Sequence, residues 1–257
     1  MSQNVVNSYR YAVADWIDDT GLKAYYKFNE SSGSIINQSE SSDSLSSNAD
    51  IIMTGGTYEQ SAPIGSANAV LFDGVDDEGE EGTSVSQWNY KHNTTSEFSM
   101  AFWMKVNANP NNKCFFGTAL SESHVGWLVW CNDAIRPFSL MTSNGSAGRP
   151  MGAFSTNNYI PDLTDYHFYV ITCNITLASS NVIFTRDNAN QETFNKTGAN
   201  VPSNANATQS SKVAVNPSSD SDYANMYISE LSEWNRILTA DEITGLYNSG
   251  NARAIYE

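Results

Sequence analysis

A chain of 257 residues with 28 Asp and Glu against 13 Lys and Arg carries a formal charge of -15. Such a field repels phosphate backbones and argues against nucleic acid as a partner, while the length is enough for one large domain with a sizeable core. No apolar run approaches the roughly eighteen residues of a membrane span, so membrane insertion is not expected.

Residues 2–18 open the chain with Val5, Val6, Tyr9, Ala12, Val13, Trp16 and Ile17 at intervals of one, three and four, the apolar stripe of a helix. Two readings stay open. The stripe lies on its own domain, or it docks on another chain through Val6, Tyr9, Val13 and Trp16. Asp18, Asp19, Thr20 and Gly21 break the periodicity, which predicts an N-terminal docking helix over 1–20 and one main domain over 21–257. Asp15, Asp18 and Asp19 stand where a secretory leader has its apolar core and cleavage site, so either a leader has been removed or export takes another route.

Residues 31–50 are dominated by Ser, Asn, Asp and Glu and predict a long surface connection. Residues 73–82 predict a second irregular stretch, rich in carboxylates and glycine. Apolar segments near 98–106, 113–118, 127–132, 137–141, 167–174 and 181–186 follow, with turns rather than helices between them. They predict an all-β fold of two antiparallel sheets packed as a jelly-roll sandwich. After a polar stretch containing Lys212 to Val215, residues 226–234 read as a half-buried strand. Thr239 and Glu242 then stand three apart as a capping box, Ile243, Leu246 and Tyr247 share a face, and Gly250 is placed for a left-handed stop: a short C-terminal helix.

Catalytic signals are sparse. A retaining glycosidase presents two strand-borne carboxylates about 5 Å apart, and the acidic cluster Asp76, Asp77, Glu78, Glu80 and Glu81 is expected in a loop too loose to hold them so. His92, His124 and His167 stand apart from any Ser or Cys elbow, and the spacing of Cys and His does not suit zinc. Register counting sets Cys114 opposite Cys131 across a hairpin, with reduced thiols favoured because directly opposed strand residues fit a disulfide poorly. Asp73, Asp76 and Asp77 offer oxygen ligands for calcium, the bland alternative being a solvated acidic loop. A sugar ring needs an aromatic face with polar groups beside it, for which Trp88, Tyr90 and His92 are the best match and Tyr159 a weaker one.

Ile228, Glu230, Trp234, Asn235, Arg236, Leu238, Glu242, Ile243, Leu246 and Tyr247 fill the places of a closing segment that resembles the laminin-G-like branch of the concanavalin A-like lectin and glucanase family. Segments 21–30, 69–77 and 97–105 resemble the family's earlier strands in the expected order. The resemblance implies a concanavalin A-like sandwich and does not choose among lectins, adhesion modules, hydrolases and virion proteins. It also implies a convex-face calcium site near Glu30, where Ser229 stands in place of the usual Asp. Together these readings predict a non-enzymatic virion decoration or fibre protein at the virion surface. It would join other virion or surface-assembly proteins through the N-terminal helix, with a cell-surface glycan as ligand and homo-oligomerisation open. A secreted or cell-surface adhesion module is the alternative, and a glycoside hydrolase the third reading.

Overall fold

The computed structural model describes residues 16–119, 123–131, 137–146, 151–156, 158–195, 201–217 and 221–256. In chain order the elements are β1 (Leu22–Tyr26), β2 (Ile51–Thr54), β3 (Thr57–Gln60), β4 (Ala69–Asp73), β5 (Glu78–Glu81), β6 (Glu97–Val106), β7 (Lys113–Gly117) and β8 (Val125–Cys131). Then come β9 (Ser139–Asn144), β10 (Met151–Phe154), β11 (His167–Asn174), β12 (Val182–Arg186), β13 (Asn190–Phe194), β14 (Lys212–Val213), β15 (Asn225–Trp234) and α1 (Ala240–Tyr247). They form two antiparallel sheets. The first runs β13-β12-β11-β6-β15-β4-β3, with β1 also on β15, and the second runs β10-β9-β8-β7-β14-β5-β2.

Side-chain alternation assigns the faces. In β6, Phe98, Met100, Phe102, Met104 and Val106 point between the sheets into the main core. Ala101 and Trp103 point the other way into a second core, where Ile243, Leu246, Ile255 and Tyr256 from α1 and the C-terminal tail cover the sheet. The eight-stranded sheet is therefore buried on both faces at its centre, which is why β6 reads as a continuous apolar run rather than a clean alternation.

β15 is the hinge of the topology. One of its edges is shared, with β4 pairing Asn225 to Ile228 and β1 pairing Leu231 to Trp234. Between them the register shifts, and Glu230 adopts a left-handed backbone with φ 52°. Such a bulge exchanges the faces of everything that follows.

The two-sheet sandwich and the capped C-terminal helix agree with expectation, and Thr239 and Glu242 form the reciprocal box. The helix stops earlier than Gly250, because Asn248 already takes the left-handed conformation at φ 45°. Residues 78–81 are a strand, not a loop, paired with β2 and β14. Cys114 and Cys131 are not opposed. A register shift pairs Cys114 with Trp130 and Lys113 with Cys131, so one sulfur lies outside the seven-stranded sheet and the other in the main core, and no disulfide joins them. Of the expected N-terminal helix, residues 1–15 lie outside the described residues.

Candidate functional site

Tyr90 lies within the short 3-10 turn Asn89–Lys91, with Trp88 and His92 as its two caps, in the connection from β5 to β6. The turn directs Trp88 inward, where it is fully buried and its Nε1 donates to the Glu81 carbonyl at 3.2 Å. His92 is buried with Nε2 3.2 Å from the Ala205 carbonyl, and burial lowers its pKa. Tyr90 packs against the core. Tyr159 is 3% exposed, its hydroxyl donating to Asn190 O at 3.0 Å and its ring covered by Arg186. This corrects the expectation of a sugar platform: Trp88, His92 and Tyr159 are interior groups, and Tyr90 belongs to the same packing.

Another group of half-exposed aromatics forms a row on the eight-stranded sheet. Tyr227 and Lys105 are directly paired across β15 and β6, pointing away from the core that Met226 and Met104 enter. Lys105 Nζ sits 4.0 Å from the Tyr227 ring centre and 5.3 Å from that of Tyr166, whose hydroxyl donates to Ser61 O at 2.5 Å. Tyr166 and Tyr227 meet edge to face at 6.3 Å. By alternation Asn225 and Asp73, themselves paired, follow on the same face. Sequence reading passed over this row although its signal was present: Tyr227 and Lys105 are the polar beats of two strands whose other beats are core.

Asp73, Asp76 and Asp77 do come together, with one carboxylate oxygen of each inside a common 4.8 Å span. Asp77 is the structural member. Its Oδ1 accepts the Gly56 amide at 2.7 Å and its Oδ2 the Asp73 amide at 2.9 Å, tying the turn after β4 to the turn between β2 and β3. Asp73 Oδ1 accepts the Val75 amide at 2.8 Å. Three carboxylates with spare lone pairs make an all-oxygen donor set whose chemistry fits a hard divalent cation. The convex-face place does not fit one. Ser229 Oγ lies 2.6 Å from Ser66 Oγ and donates to Asn68 O at 2.9 Å, while Glu230 accepts from Ser66 and from the Tyr25 hydroxyl. Hydroxyls occupy the position that a carboxylate would need.

Trp16, expected to face a partner, packs on its own domain. It joins the second core, Arg253 stacks 4.5 Å from its ring, and a side chain on Gly245 would collide with it. Val6, Tyr9 and Val13 lie outside the described residues.

Two strand-borne carboxylates, Glu81 on β5 and Glu233 on β15, face each other between the sheets with Lys91. All three residues are fully buried. A substrate cleft does not reach them.

The profile of the concanavalin A-like lectin/glucanases superfamily matches residues 78–244. No protein with curated annotation matches the chain. Solved structures similar to it include the binding domain of botulinum neurotoxin DC in complex with SialylT, at TM-score 0.58 and 14% identity over 90% of this chain and 52% of that one. The same toxin's binding domain in complex with rat synaptotagmin II aligns at TM-score 0.58 and 12% identity, over 91% and 55%. A Trypanosoma rangeli sialidase in complex with 2,3-difluoro-KDN aligns at TM-score 0.52 and 14% identity, over 90% and 33%. This chain thus spans about half the length of the toxin domains, at identities that speak for the fold alone. With a profile match over more than half its length, the chain belongs to the concanavalin A-like lectin/glucanase superfamily.

Proposed function

We propose that this chain is a non-enzymatic, lectin-like recognition module that displays a glycan-binding surface on a larger assembly. The observation that carries the reading is the row of half-exposed Tyr166 and Tyr227 rings beside Lys105, an aromatic surface with polar groups next to it. The non-enzymatic part of the reading is in keeping with Glu81 and Glu233 lying inside the core, with Lys91 on Glu233. Similarity to a toxin binding domain solved with SialylT supports a carbohydrate ligand. Contact with that ligand is assigned to the Tyr166, Lys105 and Tyr227 row, where half-exposed rings adjoin amide and carboxylate groups. The virion surface is the setting favoured, with other virion proteins as partners; a secreted or cell-surface adhesion module is the alternative.

A glycan array tests the ligand, with binding expected for the wild type and lost in Tyr227→Ala. Turnover of a polysaccharide, abolished by mutating a pair of surface carboxylates, sinks the non-enzymatic reading. Mass spectrometry of purified virus particles against secreted fractions separates the two settings.

A further inference from the structure

The bulge in β15 has a chemical result. Met226 and Ile228 set an alternation that, continued without interruption, would turn Ser232 inward and Glu233 outward. The left-handed residue Glu230 shifts it, so Leu231 and Glu233 enter the interior instead. Glu233 there meets Glu81 from the opposite sheet and Lys91 from the 3-10 turn.

Charge and hydrogen bonding in this cluster do not close if both acids are ionised. Lys91 Nζ lies 2.8 Å from Glu233 Oε1 and sits over the rings of Trp127 at 4.0 Å and Trp88 at 4.6 Å. That leaves one ammonium against two carboxylates, in an aromatic box where an unmatched charge is strongly disfavoured. Ser211 Oγ donates to Glu81 Oε2, but Glu81 Oε1 and Glu233 Oε2 are buried without any donor, and Glu233 Oε1 is held by the nearby Lys91 charge rather than by an aligned hydrogen bond. Two acceptor oxygens cannot satisfy one another, whereas a proton between the two carboxyls satisfies both.

We propose that Glu81 and Glu233 share one proton, carried on Glu81, and that this hydrogen bond together with Lys91 is a proton-dependent clasp between the two sheets. Lys91 contacts Glu233 directly, so Glu233 keeps its charge; Glu81, held by a hydroxyl, takes the proton. Burial first, and the Glu233 charge second, push the Glu81 carboxyl up to about 8. Burial also raises Glu233, with Lys91 opposing it. The other ionisable groups facing the cluster are Tyr26 from β1, Tyr90 from the 3-10 turn and Asp50 beyond Tyr26. Burial holds both tyrosines far above their ordinary range, so neither titrates before Glu81. Because Glu81 is raised above its unfolded value, its contribution is fully present below the unfolded carboxylate range and is lost as pH rises through about 8. The clasp is closed at neutral pH and opens in alkali, whether or not the outer face binds a sugar.

Thermal melts of the full chain from about pH 6 to about pH 9.5 test this against Glu81→Gln, which keeps an N–H donor toward Glu233 but has no proton to lose. The wild-type Tm should fall across that window, and the fall should be clearly smaller in the variant, where the His167 contact still loses stability as pH rises but Glu81 no longer does. Independently, infrared spectra of the wild type in D2O should show a protonated carboxyl carbonyl band at neutral pH that fades as pH rises through about 8. A variant that keeps the wild-type dependence on pH overturns the clasp. So does a wild-type spectrum without a protonated carboxyl at neutral pH, and that reading stands even if Glu81→Gln does not fold.

Discussion

Arg236 grips Glu242 with both arms of its guanidinium, Nη2 to Oε1 at 2.6 Å and Nη1 to Oε2 at 2.9 Å. Glu242 Oε2 also accepts the Thr239 amide at 2.8 Å, and Arg236 Nε donates to Thr20 O at 2.6 Å. One side-chain pair thereby joins the entry to β1, the end of β15 and the start of α1.

Glu242→Ala removes the capping carboxylate and leaves a half-buried guanidinium short of its partner. Urea denaturation should show a loss of about 2–3 kcal/mol, against about 1 kcal/mol for Thr239→Ala, which removes the cap alone. Equal losses would mean that the ion pair adds nothing beyond the cap.

A pH-linked contact joins two connections of the same sheet. His167 Nδ1 is 2.7 Å from Asp187 and Nε2 is 2.9 Å from Asp162, tying the loop before β11 to the turn after β12. Burial lowers the imidazole pKa, but the two carboxylates outweigh it and the net shift is upward. Burial likewise opposes ionisation of Asp162, yet the His167 hydrogen bond and the Asp165 and Thr164 amides hold it well below the usual carboxylate range. The raised histidine contributes stability that is present below its unfolded pKa and lost as pH rises through the folded one. The lowered aspartate contributes stability that is present above its unfolded pKa and lost as pH falls through the folded one. The contact is therefore strongest between the carboxylate and imidazole ranges. NMR titration of the His167 ring should give a pKa above that of a free histidine, and Asp162→Asn should bring it down; an unmoved value rejects the Asp162 contact.

Calcium is a test of the acidic turn. If Asp73, Asp76 and Asp77 hold the ion, millimolar calcium should raise Tm by mass action, and EDTA should reverse the rise. Asp76→Asn should remove the calcium response with little change in the metal-free Tm, since Asp76 is exposed. Asp77→Ala should cost about 1–3 kcal/mol even without calcium, because it strands the Gly56 and Asp73 amides. A Tm indifferent to calcium leaves the turn as a hydrogen-bonded corner only.

What could be read in the sequence was whatever depends on near neighbours. The Thr239 and Glu242 box acts over three residues, and Phe98 to Val106 announce their burial by composition alone. Glu78 to Glu81 were illegible as a strand because acidic residues and glycine disfavour one locally. Their place is set by pairing with β2 and β14, and Glu81 is tolerable inside only because Lys91 and Glu233 arrive from elsewhere in the chain. Trp88 and His92 misled for the same reason: alternation with Asn and Lys describes an exposed strip if the backbone is extended, and here a 3-10 turn buries both side chains. Nor does sequence alone predict a left-handed glutamate, so the bulge at Glu230 and the facing of Glu233 were beyond local rules.

The start of the domain gives the last prediction. Trp16 and Ile17 belong to the second core, and the carbonyls of Asp18 and Thr20 accept from Arg236. The boundary expected at residue 20 thus falls inside the packed unit, and a deletion of 1–19 removes core contacts along with any docking stripe. Deletion of 1–15 keeps those contacts and removes Val6, Tyr9 and Val13. The shorter deletion should melt within a few degrees of the full chain, whereas loss of 1–19 should lower Tm by several degrees, as about 1–3 kcal/mol of buried aromatic and aliphatic surface is lost. If Val6, Tyr9 and Val13 attach the module to its assembly, the 1–15 deletion should be folded yet fail to incorporate. A 1–15 deletion that melts as low as the 1–19 deletion instead places the stripe on its own sandwich, and one that folds and still incorporates removes the segment from attachment altogether.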